Sequence, residues 1–322
     1  MPEPSPRLSV VIPTWNGAEL LRRYLPSVTA AMAEAETAGL STELVISDDG
    51  SSDGTAAWLA TAYPQARVIV SAANRGFAFA ANAGIEAARG EIAVLLNNDA
   101  AVLPGALAVW PEWFADPALF AVTFRALDPA TRAFATGGKL GRFRRGFWET
   151  WQNYDGARGP SFALVGGFCA VRRAMFLALG GFDPLFAPYY WEDIDLSYRA
   201  RKRGWRIVYA PSATVLHEIS ATIRRHRTPW RRRVVIHRNR LLFHAKNLDP
   251  GWLRRHRRWR RLLLAQLALR GDFAYHAGYL AAWRLRRAVA AARRRESSEW
   301  RLPDAALAVA APPADAQTPG PS

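Results

Sequence analysis

The chain has 322 residues, half of them hydrophobic, which supplies enough apolar material for a substantial core and excludes global disorder. Its single cysteine, Cys169, excludes an internal disulfide and a cysteine-based metal cluster, and makes a reducing compartment the natural expectation. The net charge of +16 is concentrated: between Arg224 and Arg261 fifteen Lys or Arg stand against Asp249 alone, leaving 28 basic and 26 acidic residues elsewhere, so the basicity describes an appendage on a nearly neutral body.

Met1 to Arg7 lacks an apolar h-region and is expected to be a disordered lead into the first strand rather than a signal peptide, which points to the cytoplasm. Leu8 to Ile12 is a short apolar run stopped by Pro13-Thr14-Trp15-Asn16-Gly17, as a buried parallel strand would be. A helix follows through Leu20, Leu21, Leu25 and Val28. Glu43 to Ser47 reads as a second strand, broken by the turn signal Asp48-Asp49-Gly50-Ser51-Ser52-Asp53-Gly54 before a helix over Thr55 to Tyr63. Arg67 to Val70 is a third strand, Phe77 to Arg89 an Ala-rich helix, and Glu91 to Leu96 a fourth strand. This alternation predicts an α/β fold, Rossmann-like, with a mostly parallel sheet that takes its ligand at the carboxyl edge.

Beyond Pro104 the expected elements are a helix to Phe114 and a strand from Leu119 to Phe124. Arg125 to Pro160 mixes Gly, Arg and aromatics without a period and reads as an insertion on the acceptor side. Phe162 to Val171 reads as a strand, Ala174 to Leu179 as a helix stopped by Gly180-Gly181-Phe182-Asp183, and Tyr190 to Arg203 as a helix whose charges match the macrodipole. Strands over Arg206 to Tyr209 and Ala213 to Leu216 end at His217.

Two acidic features carry chemistry. Asp99 closes the fourth strand in the phrase Asn97-Asn98-Asp99, where a carboxylate can hold a divalent ion on a diphosphate. Trp191-Glu192-Asp193-Ile194-Asp195 opens a helix, where an ionised acid can receive a proton from a hydroxyl. The pairing points to group transfer from an activated nucleotide.

Taken in order, Pro13-Thr14-Trp15-Asn16-Gly17, Asp48-Asp49-Gly50-Ser51, Asn74-Arg75-Gly76 with Asn82-Ala83-Gly84, Asn97-Asn98-Asp99, Gly166-Gly167, Trp191-Glu192-Asp193 and His217 resemble the motifs of family 2 glycosyltransferases. The similarity spans roughly Leu8 to Asn247 and leans toward the rhamnosyltransferase-like branch. It implies the GT-A fold, an inverting transfer, and a nucleotide-sugar donor held by Pro13, Thr14, Asn16, Asp48, Asp49, Asn74, Arg75, Asn82, Asn98 and Asp99. It further implies Asp193 as general base with Glu192 beside it, Gly166, Gly167 and Trp191 on the side of a glycan or lipid-linked acceptor, and Asp99 with His217 as ligands of Mg2+ or Mn2+. Asn97 stands where the family's metal motif carries its first acid, so a single carboxylate is left for the ion. On residue chemistry alone each position has a plainer reading: Asp48 and Asp53 as helix caps, His217 as structural, the acid cluster as a macrodipole partner, Trp191 as core.

The basic segment opens a helical extension expected over 248–302, followed by a disordered Pro/Ala tail over 303–322. Trp252, Trp259, Leu263 and Leu267 fall on one arc with Arg254, Arg257, Arg258 and Arg261 turned away, which suits an interfacial helix on an anionic membrane. Phe273 to Trp283 is too short to span a bilayer, so attachment would be peripheral, on the inner face of the plasma membrane. Nucleic-acid binding and a plain solvated face are the rival readings of the same charge. For the whole chain, a nucleotidyltransferase acting on a sugar phosphate and a nonenzymatic basic binding protein are the alternatives. The missing G-x-G-x-x-G excludes a dinucleotide oxidoreductase.

Overall fold

The computed structural model describes residues 7–108, 113–153, 157–217 and 228–308. Its first half follows the expected alternation: β1 (Leu8–Thr14), α1 (Ala18–Thr37), β2 (Thr42–Asp48), α2 (Thr55–Ala62), β3 (Arg67–Val70), α3 (Phe77–Ala87) and β4 (Ile92–Leu96). All residues of β1 and β4 are buried, as strands covered on both faces must be. Gly84 lets α3 approach β1, because a Cβ there would lie 2.5 Å from Val11 Cγ1.

The chain then adds β5 (Ala100–Val102), β6 (Leu119–Leu127), β7 (Phe134–Thr136), β10 (Gly159–Pro160), β11 (Phe168–Arg172) and β12 (Arg206–His217) to the same sheet. The order is β10-β12-β6-β11-β4-β1-β2-β3, with β5 on β12 and β7 on β6. β1, β2, β3 and β4 run parallel, and β11 lies antiparallel between β4 and β6. Two reversals restore the direction, so β6 and its parallel neighbour β12 point the same way as β4. The ends of β1, β2, β4 and β12 and the start of β11 therefore meet at one edge, which gathers Thr14, Asp49, Asp99, Gly167 and His217.

Several expected elements change. Of the helix over Pro104 to Phe114, residues 104–108 form turns and residues 109–112 lie outside the described residues. The strand over Phe162 to Val171 shortens to β11, because its earlier donors turn to side chains: Leu164 N–H donates to Ser197 Oγ and Val165 N–H to Thr123 Oγ1. The two strands after Arg206 are one, β12, with a register shift between Ala210 and Thr214 beside Pro211, which has no N–H to offer the ladder. Tyr190 and Trp191, at φ of 69° and 75°, stay outside the helix, so α5 covers Glu192–Lys202 and follows the short α4 (Arg173–Ala178).

The segment without a period is an ordered hairpin, β8 (Lys139–Arg144) and β9 (Phe147–Gln152). Its Trp148 is buried, donating from Nε1 to Tyr198 Oη at 3.1 Å and from its backbone N–H to His244 Nε2 at 2.8 Å. The basic segment packs on this hairpin as α6 (Pro229–Asn247), α7 (Pro250–Leu269), α8 (Phe273–Arg284) and α9 (Arg286–Ser297). The apolar arc of α7 packs there: Trp252 stacks on Phe143 at 4.0 Å, and Trp259, Leu263 and Leu267 pack with Phe147, Leu241 and Tyr275. That face is therefore half-buried against the rest of the chain rather than free along its length. The tail expectation is corrected at its start: Asp304–Leu307 forms a 3-10 turn, with Asp304 buried, 2.7 Å from Lys202 Nζ and accepting from Tyr198 Oη at 2.6 Å. Residues 1–6 and 309–322 lie outside the described residues.

At the centre of this half, Lys246 is fully buried with Nζ 2.5 Å from Asp183 Oδ2 and 2.9 Å from Asp195 Oδ2. Arg199 donates to Asp195 Oδ2 at 2.7 Å and to the carbonyls of Leu179 and Gly181, and Asn247 donates to Asp195 Oδ1 at 2.7 Å. Burial opposes the Asp195 charge, but Lys246 and Arg199 outweigh it and hold the carboxyl below its usual range. Removing one partner strands buried charge, so Lys246→Met should cost about 3–5 kcal/mol in urea denaturation. A loss below about 1 kcal/mol would count against the network as a structural anchor.

Candidate active site

The shared sheet edge opens into a cavity of about 400 Å³. On its donor side, Pro13, Thr14 and Trp15 leave β1, Asp49 follows β2, Asn74 and Gly76 precede α3, and Asn97, Asn98 and Asp99 leave β4. Asn98 Nδ2 donates to Thr14 Oγ1 at 2.8 Å, locking the ends of β4 and β1 together. Gly17 makes room for that bond, since a Cβ there would collide with both partners. Asp49 Oδ2 accepts from the N–H groups of Arg75 and Gly76 at 2.9 and 2.7 Å, while its buried Oδ1 has no partner. A shielded oxygen of this kind is suited to an imide N–H or a hydroxyl.

Four residues of the expected donor set do not line the cavity. Asp48 Oδ1 accepts from Ser51 N–H and holds the turn after β2. Asn16 Oδ1 accepts from Ser52 N–H at 2.8 Å, fastening the β1 turn to the β2 turn. Asn82 clamps both backbone groups of Phe182 at 2.9 Å. The Arg75 guanidinium turns away over Phe79, 3.9 Å from the ring centroid. Helix capping falls to Asp53, which accepts from Thr55 N–H and also from Ala18 N–H at the start of α1.

Asp99 is 6% exposed, and His217 Nε2 stands 3.3 Å from its Oδ1. Two donors bound side by side to one octahedral ion at about 2.1 Å would be about 3 Å apart, so a carboxylate and an imidazole at this spacing fit a divalent cation. Among the described residues no cluster of three His, Cys, Asp or Glu accompanies them, so water and substrate oxygens would complete the shell.

The acid cluster divides three ways. Glu192 lines the cavity, and its Oε2 is buried without a partner. Burial, reinforced by the adjacent Asp193 charge, pushes its carboxyl up to about 8. Asp193 lies just behind the wall: its Cβ is 3.4 Å from the point where a Cβ on the lining Gly166 would stand. Its Oδ2 accepts from Lys139 Nζ at 2.9 Å and its Oδ1 from Ile194 N–H at 2.8 Å. Asp195 belongs to the buried network. Gly167 is needed as glycine, because a Cβ would meet the Asn97 amide at 2.5 Å.

A family model described as "Glycosyltransferase like family 2" matches residues 6–240. The chain belongs to this family. It is 30% identical over 292 residues to the N-acetylglucosaminyl-diphospho-decaprenol L-rhamnosyltransferase of Mycobacterium tuberculosis, an alignment covering 82% of this chain and 91% of the relative. Among solved structures it is similar to GalNAc-T7 with UDP, GalNAc and Mn2+, at TM-score 0.59 and 19% identity over 77% of this chain. That overlap is 49% of GalNAc-T7, so the chain spans about half of its length. A second likeness is the mannosyltransferase PcManGT from Pyrobaculum calidifontis with GDP-Man and Mn2+, at TM-score 0.52 and 21% identity over 95% of this chain and 79% of that one. These likenesses establish the GT-A fold. The glycosyltransferase is thus an enzyme, and nucleotidyl transfer and nonenzymatic nucleic-acid binding fall away.

The structure of this glycosyltransferase also brings to the cavity and its walls residues that sequence reasoning missed. Lys139 is set at the base of the hairpin, where its N–H donates to Ser161 Oγ and its carbonyl accepts from Phe162 N–H. Tyr189 and Tyr190 line the cavity, whereas Trp191 packs against Phe243 and His244 and offers no platform to it. Asn239 on α6 holds that aromatic loop by donating to the carbonyls of Phe186, Tyr189 and Tyr190. The only textual hint at Lys139 was a basic residue beside Gly137-Gly138.

The Glu192 carboxyl keeps its proton in the folded chain to about pH 8 but releases it near 4.5 when unfolded. Between those values the unfolded state binds fewer protons, so this group's contribution to stability falls as pH rises and levels off above about 8. Glu192→Gln should therefore flatten the decline, read as urea midpoints across that interval. Parallel profiles for both proteins would contradict the burial of this acid.

Proposed function

We propose that the enzyme transfers a deoxyhexosyl group, L-rhamnosyl by the relation to the mycobacterial enzyme, from a nucleotide-diphosphate donor to a hydroxyl of a lipid-linked glycan acceptor, with inversion. The observation that carries this reading is one cavity with Asp99 and His217 at one side and Glu192, backed by Asp193, at the other. Thr14, Asn98 and the free Oδ1 of Asp49 would bind the nucleotide, and Asp99 with His217 would hold Mg2+ or Mn2+ on the diphosphate. Such an ion, when bound, offsets the charge that builds on the leaving diphosphate. The acceptor oxygen forms its bond to the anomeric carbon as the bond to the diphosphate oxygen breaks, and the acceptor proton passes to Asp193. Lys139 orients that carboxylate, and the lone pairs left on its oxygens remain for the acceptor.

Glu192 is the second candidate for the base, because it lines the cavity and its Oε2 has no partner, although its raised carboxyl would serve as a base only once deprotonated above about pH 8. The two variants separate the readings. Asp193→Asn should lower kcat by about 10²- to 10⁴-fold with donor affinity retained, whereas Glu192→Gln should act mainly on the acceptor KM. The larger kcat loss in Glu192→Gln would move the role to that residue.

Asp99→Ala should weaken donor binding and abolish its dependence on manganese, measured by calorimetry with and without the ion. Equal affinities in all four combinations would remove Asp99 from metal binding.

A further inference from the structure

Among the described residues no helix is long and apolar enough to cross a membrane, and the apolar arc of α7 is already half-covered by its own chain. A different surface of the same helices is open. A cleft of about 320 Å³ lies between α6, α7, α8 and α9, and it shares no lining residue with the catalytic cavity. Its floor is apolar, made by Leu241, Leu242, Leu253, Ala282 and Val289, and its rim carries Arg257, Arg260, Arg286 and Arg293.

The rim has the chemistry of an anion site without an anion of its own. Arg257, Arg260 and Arg286 form no ion pair among the described residues. Arg260 lies over the Tyr279 ring and its buried Nε has no hydrogen-bond acceptor. Arg286 lies over Trp283, and Arg293 donates to the backbone carbonyls of Ala245 and Lys246. Trp283 of the cleft wall is more than half exposed, and so are Leu262 and Leu269 of α7 and Phe273 and Leu280 of α8, apolar surface on the same two helices that water does not favour. Guanidinium groups over an apolar floor match a phosphate with an acyl chain attached, and neither an inorganic anion nor a neutral lipid uses both halves.

We propose that this cleft seats one acidic glycerophospholipid of a bilayer leaflet, phosphate on the arginine rim and acyl chain along the leucine floor, while the exposed Trp283 enters the headgroup layer. The idea deepens the lipid-linked acceptor reading, yet binding itself needs neither donor nor acceptor, so the two can fail separately. The full chain would be sedimented with vesicles of phosphatidylcholine alone, of phosphatidylcholine with phosphatidylglycerol, and of phosphatidylcholine with a polyprenyl phosphate.

Binding should require the phosphatidylglycerol. The triple variant Arg257→Gln, Arg260→Gln, Arg286→Gln should weaken it on the order of a hundredfold, and a second triple of equal charge loss on exposed positions of α7, Arg254→Gln, Arg258→Gln, Arg261→Gln, should weaken it far less. Ala290→Trp, which fills the cleft without changing charge, should abolish the preference for phosphatidylglycerol while leaving the unliganded melting temperature in place. Equal losses in the two triples, or an unaltered preference in Ala290→Trp, would reduce the surface to nonspecific basicity and overturn the site. Tighter binding to the polyprenyl phosphate vesicles than to phosphatidylglycerol would overturn the assigned lipid. Transfer to a soluble acceptor should be unchanged in every variant.

Discussion

A single buried ammonium, that of Lys246, decides where the acid-bearing helix lies. Asp183 ends the turn after α4 and Asp195 sits in the first turn of α5; both point into a region without water, where two carboxylates cannot remain charged alone. Lys246 on α6 meets both, and Arg199 carries the connection on to the carbonyls at residues 179 and 181. A buried arrangement of this kind adds little net stability over apolar packing of the same volume. Its consequence is positional: with Asp195 fixed, the earlier residues of the same turn are presented at the sheet edge, Glu192 into the cavity and Asp193 against Gly166 and Lys139.

The acids of this turn illustrate how neighbouring residues of one composition acquire separate chemistry. Successive side chains on a helix diverge by about 100°, so Glu192 and the adjacent Asp193 leave the turn in different directions. One finds a cavity and retains its proton, one finds a lysine, and one finds the buried network. The same division of labour applies after β2, where Asp49 turns an unpaired oxygen to the cavity while Asp48 closes the turn beneath it.

The sheet was legible because its strands are buried on both faces and therefore appear as uninterrupted apolar runs, with Leu8 to Ile12 and Glu91 to Leu96 the clearest. The donor edge was legible for a related reason: turns at strand ends need Gly, Asn and Asp, and those residues stand out against valine and leucine. What the text of the chain could not reveal were contacts made across long separations. Lys139 meets Asp193 from 54 residues away, and Asn239 reaches Tyr189 over 50. Neither belongs to a periodic pattern, and each is determined only once the hairpin and α6 have docked. The amphipathic pattern of α7 was legible, but a helical wheel reveals that a face is apolar and says nothing of what covers it; here the hairpin and its neighbouring helices cover it in part. The charge run likewise disguised α6, whose Asn239, Lys246 and Asn247 are buried although its arginines are exposed or only half-buried.

Lys246 also lies beyond the reach of the family match, which ends at residue 240. As the chain leaves the ribosome from its amino end, Asp183 and Asp195 emerge more than fifty residues before the cation that neutralises them. Until that cation arrives, Arg199 alone balances the inward carboxylate of α5, and Asp183 lacks its ammonium partner, so the strands can assemble before this wall of the cavity is complete. Assembly of the chemistry is thereby deferred to the last part of synthesis, and a nascent chain halted at the conventional family boundary would carry every motif of a glycosyltransferase without the counter-charge that sets them in register.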